Sequence, residues 1–351
     1  MRKLPVHNKK ALAAVLVFAL LLTGCGAPSA SKAIEQEENS RSFFAMDTYM
    51  TVRAWGADDE LLEKAEDLVG ELEASVSTTR EESELHKLNE TGFATLPGDA
   101  AYLLGRAVDL CGETGGALDI SIYPVVRAWG FTTADEDYRV PGEDELARLL
   151  MSVDYTRIAL DGDTVSLGEG MEIDLGAVTK GYVGDKITAL LRENGVTSAL
   201  LDLGGNIHTL GSKPDGSNWR IAIQNPEGDG ILGALSISDK AVITSGGYER
   251  YFVDEEGNLW WHIFDPATGC PARNGLISVT IVGDEGLYCD ALSTALFIMG
   301  WERAVEFWRE HRDFEMALVT GDGRLLLTPG LYDGFTPVEG LPYSIEVAGD
   351  A

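Results

Sequence analysis

Basic residues are scarce in this chain. It carries 27 lysines and arginines against 57 aspartates and glutamates, a formal net charge of −30 at pH 7. That balance disfavours nucleic acid, whose phosphates draw a basic face. An anionic small ligand would need local positive charge or a cation to offset the field. Cysteine is sparse as well: Cys25, Cys111, Cys270 and Cys289, with no CxxC pair. Neither a zinc ribbon nor a dense disulfide framework fits that spacing. The sequence has no GxxxxGK[ST], no HExxH and no GxSxG, so the common nucleotide and hydrolase signatures are missing. Its one GxGxxG, "GDGILG" at Gly228–Gly233, precedes the strand-like "ALSIS" where a dinucleotide fingerprint would open a helix, and reads as a hairpin loop. No repeat of 20–50 residues is visible.

The N-terminus stands apart. Arg2, Lys3, Lys9 and Lys10 precede the apolar run "ALAAVLVFALLL" and then "LTGC", Leu22–Cys25. A run of about a dozen apolar residues is short for a bilayer span. A small residue before cysteine at its end is the pattern of a bacterial lipoprotein signal; an ordinary signal peptide or short anchor is the other reading. The expected organisation is a signal over 1–24, a lipidated Cys25 with a flexible polar tether over 25–41, and one folded domain over 42–345. Removing 1–24 takes away four basic side chains and no acid, so the mature chain is more acidic still. Its place would be the extracytoplasmic face of the membrane.

Glycine, by contrast, is plentiful at 40 residues, which implies many tight turns or close backbone approaches. "FFAMDTYMTVRA" reads as a strand, and "DDELLEKAEDLVGELEASVS" has helical apolar spacing with acids at its start. "PGDAAYLLGRAVDLCGET" and 143–151 predict further helices, and "RIALDGDTVSL" a hairpin turning at Asp161-Gly162. From Thr197 onward strand follows strand, until helices are expected over 290–299 and 302–311. The fold class is therefore α+β, with largely antiparallel sheets and flanking helices.

Candidate chemistry is dispersed. "MEIDLGAVTKGYVGDKI" sets Asp174 and Lys180 at the mouth of a helix, where a phosphate and its metal could sit or where the helix is merely capped. Asp290 and Thr294, four residues apart, share one helix face and suit Mg²⁺; capping by Asp290 is the plainer alternative. His262, between Trp261 and Ile263 beside an Asp265-Pro266 turn, is a candidate general base or a core histidine. His86 and His311 look like surface. "GGALDISIYPVVRAWGF" offers Asp119 as an acceptor for a ring N–H or ribose, or as an ordinary turn acid.

Taken in order, "FFAMDTYMTV", "GGALDISIYPVVRAWGF", "EIDLGAVTKGYVGDKI", "LLDLGGNIHTLG", "VITSGGYERYF", "HIFDPATGCPA" and "YCDALSTALFIMG" resemble the ApbE family of FAD:protein FMN transferases, from about Phe43 to Arg324. The resemblance implies an ApbE-like (T-fold-like) architecture and a Mg²⁺-dependent enzyme that splits FAD, releases AMP and attaches FMN to a threonine or serine. Acceptors in such a family are subunits of NADH:quinone or Rnf-type complexes, or other extracytoplasmic flavoproteins. By resemblance, Met46, Ala117, Leu118, Asp119, Asp174, Lys180 and His262 contact FAD. Ala177 (through its carbonyl), Asp290 and Thr294 hold the metal, and His262 is also the base. Two positions depart from the pattern: Thr79 where an aromatic often covers the flavin, and Asp47 where glycine is common. Two alternatives remain open at this level, hydrolysis of FAD to free FMN and AMP, and a non-catalytic flavin- or solute-binding lipoprotein.

Overall fold

A computed structural model describes residues 37–132 and 137–349. The signal, Cys25 and the start of the expected tether lie outside the described residues. Nine strands form the main sheet, and their spatial order is their chain order. They are β1 (Glu38–Ala45), β2 (Thr48–Trp55), β3 (Ala199–Leu203), β4 (Ile207–Leu210), β5 (Ala241–Gly246), β6 (Leu276–Gly283), β7 (Glu315–Thr320), β8 (Arg324–Leu327) and β9 (Ser344–Val347). Every neighbouring pair is antiparallel except β8 and β9.

One face of this sheet carries the helices α1 (Asp59–Val76), α2 (Gly98–Glu113), α3 (Gly176–Glu193), α4 (Gly286–Met299) and α5 (Trp301–His311). Met50, Val52, Leu201, Ile243, Val279, Ile281, Met316 and Leu318 point into that layer. The opposite face of β5–β8 is covered by a three-stranded sheet, Trp219–Gln224, Ile231–Ile237 and Phe335–Pro337, through Val242, Val282, Ala317, Val319 and Leu327. Being covered twice explains why "GLISVTIVGD" is apolar almost throughout, while β1 and β2 alternate. The first half of "GDGILG", Gly228–Gly230, lies in the turn after Trp219–Gln224, and Ile231–Gly233 begin the next strand, so the motif belongs to a hairpin.

Four boundaries differ from the sequence reading. The "FFAMDTYMTVRA" segment is a hairpin rather than one strand, because Met46 and Asp47 both take positive φ, 49° and 57°, and turn the chain. The expected tether to residue 41 ends earlier: Glu38–Arg41 already belong to β1. Its exposed side is held by polar pairs, Arg53 with Glu38, Arg41 with Glu66, and Ser42 with Thr51. The domain also runs past 345, since β9 extends to Val347 and Ala348 is buried. The last correction in this group concerns α4, which starts at Gly286 rather than at Asp290. Cys111, Cys270 and Cys289 are free. No helix among the described residues is long and apolar enough to cross a membrane.

Candidate active site

The helices α3 and α4 cross as bare backbone. A Cβ on Gly181 would lie 2.2 Å from the Gly286 carbonyl oxygen and 2.8 Å from Asp290 Cβ, and one on Gly184 would meet the His208 ring. This contact needs glycine and brings the two sequence-distant motifs together. At the crossing the Gly181 N–H donates to Asp290 Oδ2 at 2.8 Å. In a regular helix that N–H serves the carbonyl four residues earlier, here Ala177, so the Asp290 carboxylate competes for it and acceptor capacity is left at Ala177. Asp185 of α3 reaches across in turn and accepts from the N–H groups of Gly286 and Leu287 at 2.7 and 2.9 Å. It supplies the cap that α4 lacks locally.

Asp290 is buried, and burial holds its carboxyl above the usual range, opposed by the Lys180 charge, the Gly181 N–H and Asn206. Thr294, one turn on, is half-buried, with Oγ1 3.4 Å from Ser245 Oγ; Ser245 also pairs with Ser293 at 2.8 Å. The buried Asn206 side chain acts on the Asp290 carboxylate, although its Nδ2 makes no hydrogen bond of regular geometry. Lys180 makes no ion pair among the described residues, yet its charge acts on Asp290, Glu249 and His262 together. Glu249, on the loop after β5, is exposed to the cleft but ringed by protein, and its carboxyl is pushed up to about 7 by that enclosure and by Asp290, against the pull of Lys180.

His262 is half-buried beside this group. Its Nδ1 lies 3.2 Å from the Arg250 carbonyl. A carbonyl only accepts, so Nδ1 carries the proton and Nε2 keeps its lone pair. Enclosure, Arg250 and Lys180 push the imidazole down to about 4, so it is neutral across the physiological range. That is the state a general base requires.

The remaining predicted contacts fall into two groups. Asp174 opens α3, accepting from Gly176 N–H at 2.8 Å, with its own N–H bonded to Ile120 at 2.9 Å. That bond ties it to the Ala117–Asp119 segment. Burial raises the Asp174 carboxyl, while Gly176 and Arg250 lower it. Ala117 and Leu118 are buried. Asp119 is buried too, and its carboxylate accepts from Ser121 N–H, Ser121 hydroxyl and Tyr155 N–H at 2.9, 2.6 and 3.1 Å. Oδ1 therefore holds the local turn, and Oδ2 ties it to Tyr155 from a distant segment. Met46 sits in the β1–β2 turn, its N–H donating to Glu73 at 3.0 Å. Thr79 is tied to Ser77 in the turn after α1. His311 is exposed, as expected, and His86 is half-buried; their Nδ1 atoms meet the Phe307 and Thr78 carbonyls, both at 2.8 Å.

Sequence reasoning passed over Glu249, Arg250, Ser245 and Asn206. All four follow or end a strand beside paired glycines, and that repeated placement was the available signal.

The donor set offered to a metal is one carboxylate, one hydroxyl and one carbonyl, all hard oxygens. Among the described residues no cluster of three or more His, Cys, Asp or Glu could hold a metal. Such a seat fits Mg²⁺, which takes few protein ligands and completes its shell with water and phosphate. With an unpaired lysine and a neutral imidazole alongside, the residue types are those that phosphoryl transfer uses. Residues 46–318 match the ApbE family model, and the chain belongs to that family. It is 33% identical over 337 residues to the FAD:protein FMN transferase of Treponema pallidum, covering 88% of this chain and 92% of the relative. The FAD:protein FMN transferase of Klebsiella pneumoniae is 31% identical over 310 residues, covering 86% and 95%. Among solved structures, the ApbE protein of Thermotoga maritima superposes with a TM-score of 0.79 at 28% identity, over 85% of this chain and 99% of that one. The flavin transferase ApbE of Vibrio cholerae gives 0.74 at 27%, over 86% and 97%.

Proposed function

We propose that this chain is a Mg²⁺-dependent FAD:protein FMN transferase, held by lipid on Cys25 at the extracytoplasmic face of the membrane. Its acceptors would be Thr- or Ser-bearing subunits of NADH:quinone or Rnf-type complexes, or other extracytoplasmic flavoproteins. The observation that supports the reading is the glycine crossing of α3 and α4, where the Gly181 N–H, next in the chain to Lys180, donates to the Asp290 carboxylate. The family membership and the names of the relatives support it.

In this reading the FAD diphosphate lies over the start of α3. Lys180 faces its oxygens as a point charge. Ala177, Asp290 and Thr294 would hold Mg²⁺, which when bound neutralises phosphoryl charge as AMP departs. His262 Nε2 takes the proton from the acceptor hydroxyl, whose oxygen attacks the FMN phosphorus. A new phosphoester forms, the bond to the AMP phosphate breaks, and AMP leaves. Nδ1–H stays on the Arg250 carbonyl and fixes the ring. A positioned base of this kind contributes roughly 10²–10⁴ in rate.

The test is incubation of the full chain with FAD, Mg²⁺ and a recombinant Rnf-type acceptor subunit, followed by in-gel flavin fluorescence and intact mass. Acceptor-bound FMN and equimolar AMP are expected, both abolished by EDTA. Free FMN with an unlabelled acceptor would overturn the transfer reading in favour of hydrolysis.

A further inference from the structure

The chain that delivers His262 to the cleft is a two-stranded hairpin, Tyr251–Val253 with Leu259–Trp261. Its two faces differ. Phe252 and Trp260 point inward, against Tyr138 (ring centroids 5.2 Å from Phe252) and Trp129 (5.1 Å from Trp260). Tyr251, Val253 and Leu259 share the other face and are 48%, 55% and 37% exposed. Trp261, on the same face, packs against Phe297, while the three exposed apolar side chains leave the rest of that face uncovered among the described residues.

The edges differ too. His262 N–H donates to the Arg250 carbonyl, and Asp254 N–H to the Asn258 carbonyl. Hydrogen-bonded and non-bonded pairs alternate in an antiparallel ladder. The backbone groups of Tyr251 and Val253 therefore point away from the partner strand, as do those of Leu259 and Trp261. On the latter side Arg273 closes the edge: its guanidinium donates to the Leu259 carbonyl and lies 4.5 Å from the Trp261 ring centroid. On the Tyr251 side no such cover exists among the described residues.

We infer that the open Tyr251–Val253 edge is where the acceptor polypeptide docks, adding as an extended strand with apolar side chains continuing the Tyr251, Val253 and Leu259 face. This rests on the transferase reading, because the acceptor hydroxyl must reach His262, the residue that ends the hairpin. Main-chain hydrogen bonds would give such docking its affinity, and the alternate apolar side chains its register. The reach is right. A strand added beside Tyr251 lies about two strand spacings, roughly 10 Å, from the line of His262, and three extended residues at about 3.3 Å each cover that distance. The acceptor threonine would thus follow or precede the paired segment by about three residues.

The test is steady-state flavin transfer by the full chain to a recombinant Rnf-type acceptor subunit. The variants are Val253→Pro, which removes an edge N–H, Tyr251→Ser with Val253→Ser, and Val253→Ile as the conservative control. Both disruptive variants should raise the acceptor KM tenfold or more, with kcat and FAD affinity unchanged; the isoleucine variant should keep the wild-type KM. Unchanged FAD affinity also reports that the variants are folded. Acceptor KM values within twofold of wild type, with transfer intact, overturn the docking edge alone. A shift in self-association without a change in acceptor KM also overturns it, by assigning the edge to a second copy of the chain. If the wild-type chain labels no acceptor, the transferase reading falls and this inference with it.

Discussion

Gly181→Ala tests the crossing on which the site is built. The added methyl would sit 2.2 Å from the Gly286 oxygen and 2.5 Å from its carbon, where ordinary contact begins near 3.4 Å. Both obstructing atoms are backbone, so no rotamer relieves them, and the helices must part by about 1 Å. Overpacking of this kind costs about 1–3 kcal/mol, and the better helix propensity of alanine returns about 1 kcal/mol. The net loss is about 0–2 kcal/mol, or at most a few degrees in melting temperature for a domain of this size. Activity should suffer more, because Asp290 moves relative to Ala177 and a misplacement of about 1 Å can cost about 10² in rate. Gly70→Ala is the control: it lies in α1 with nothing within 4 Å of the new Cβ, and should be neutral or slightly stabilising. Urea melts, transfer rates and Mg²⁺ titrations of the two variants decide the matter. Equal turnover and equal Mg²⁺ half-saturation in both would refute the crossing as the organiser of the site.

His262→Ala should lower transfer by roughly 10²–10⁴ while FAD still binds, measured by flavin fluorescence and by rate. Because the folded imidazole is pushed down to about 4, transfer should not titrate with His262 above pH 5. Stability follows the same shift. Between about 6.5 and 4 the unfolded chain binds this proton and the folded chain does not, so the stabilisation is complete above about 6.5 and is lost as pH falls. A wild-type minus His262→Gln difference curve from urea melts should slope accordingly. Asp290→Asn should abolish the rise in melting temperature that Mg²⁺ gives the wild type, about 2.7 kcal/mol at a hundredfold excess over Kd. Dithiothreitol should leave the melting temperature unchanged, since all three described cysteines are free thiols. A reductant-sensitive melt would contradict that.

Much of the fold was legible because its elements announce themselves locally. Alternation in β2, helical spacing in α1 and the doubly covered run of β6 each follow from which faces are buried. Where reading failed, the cause was tertiary. The first turn of α4 carries no local cap, because Asp185 caps it from another helix. The Met46-Asp47 turn hides in a strand-like sequence because neither residue is glycine. Glu38–Arg41 read as tether because their pairing runs through charges rather than apolar side chains. In the candidate site, Lys180, His262 and Asp290 stood out by residue type and neighbours. Glu249 did not, since what perturbs it is the approach of Asp290 and Lys180 from other segments. Asp119 drew notice for its carboxylate, and only three-dimensional structure places Ser121 and Tyr155 on both its oxygens.

Because Gly181 faces the Gly286 main chain where α3 meets α4, the two helices touch there backbone to backbone, and the Asp290 and Asp185 carboxylates tie them across the seam. A cation held between the two helices therefore sits in jaws of fixed gauge. Oxygen ligands stand about 2.0–2.1 Å from Mg²⁺ and 2.3–2.6 Å from Ca²⁺. The larger ion would have to be absorbed by the Asp290 and Thr294 side chains, since the main-chain contact between the helices has no slack. If the proposed cation binds there, the helix packing itself would favour the smaller ion, beyond the chemistry of the ligands.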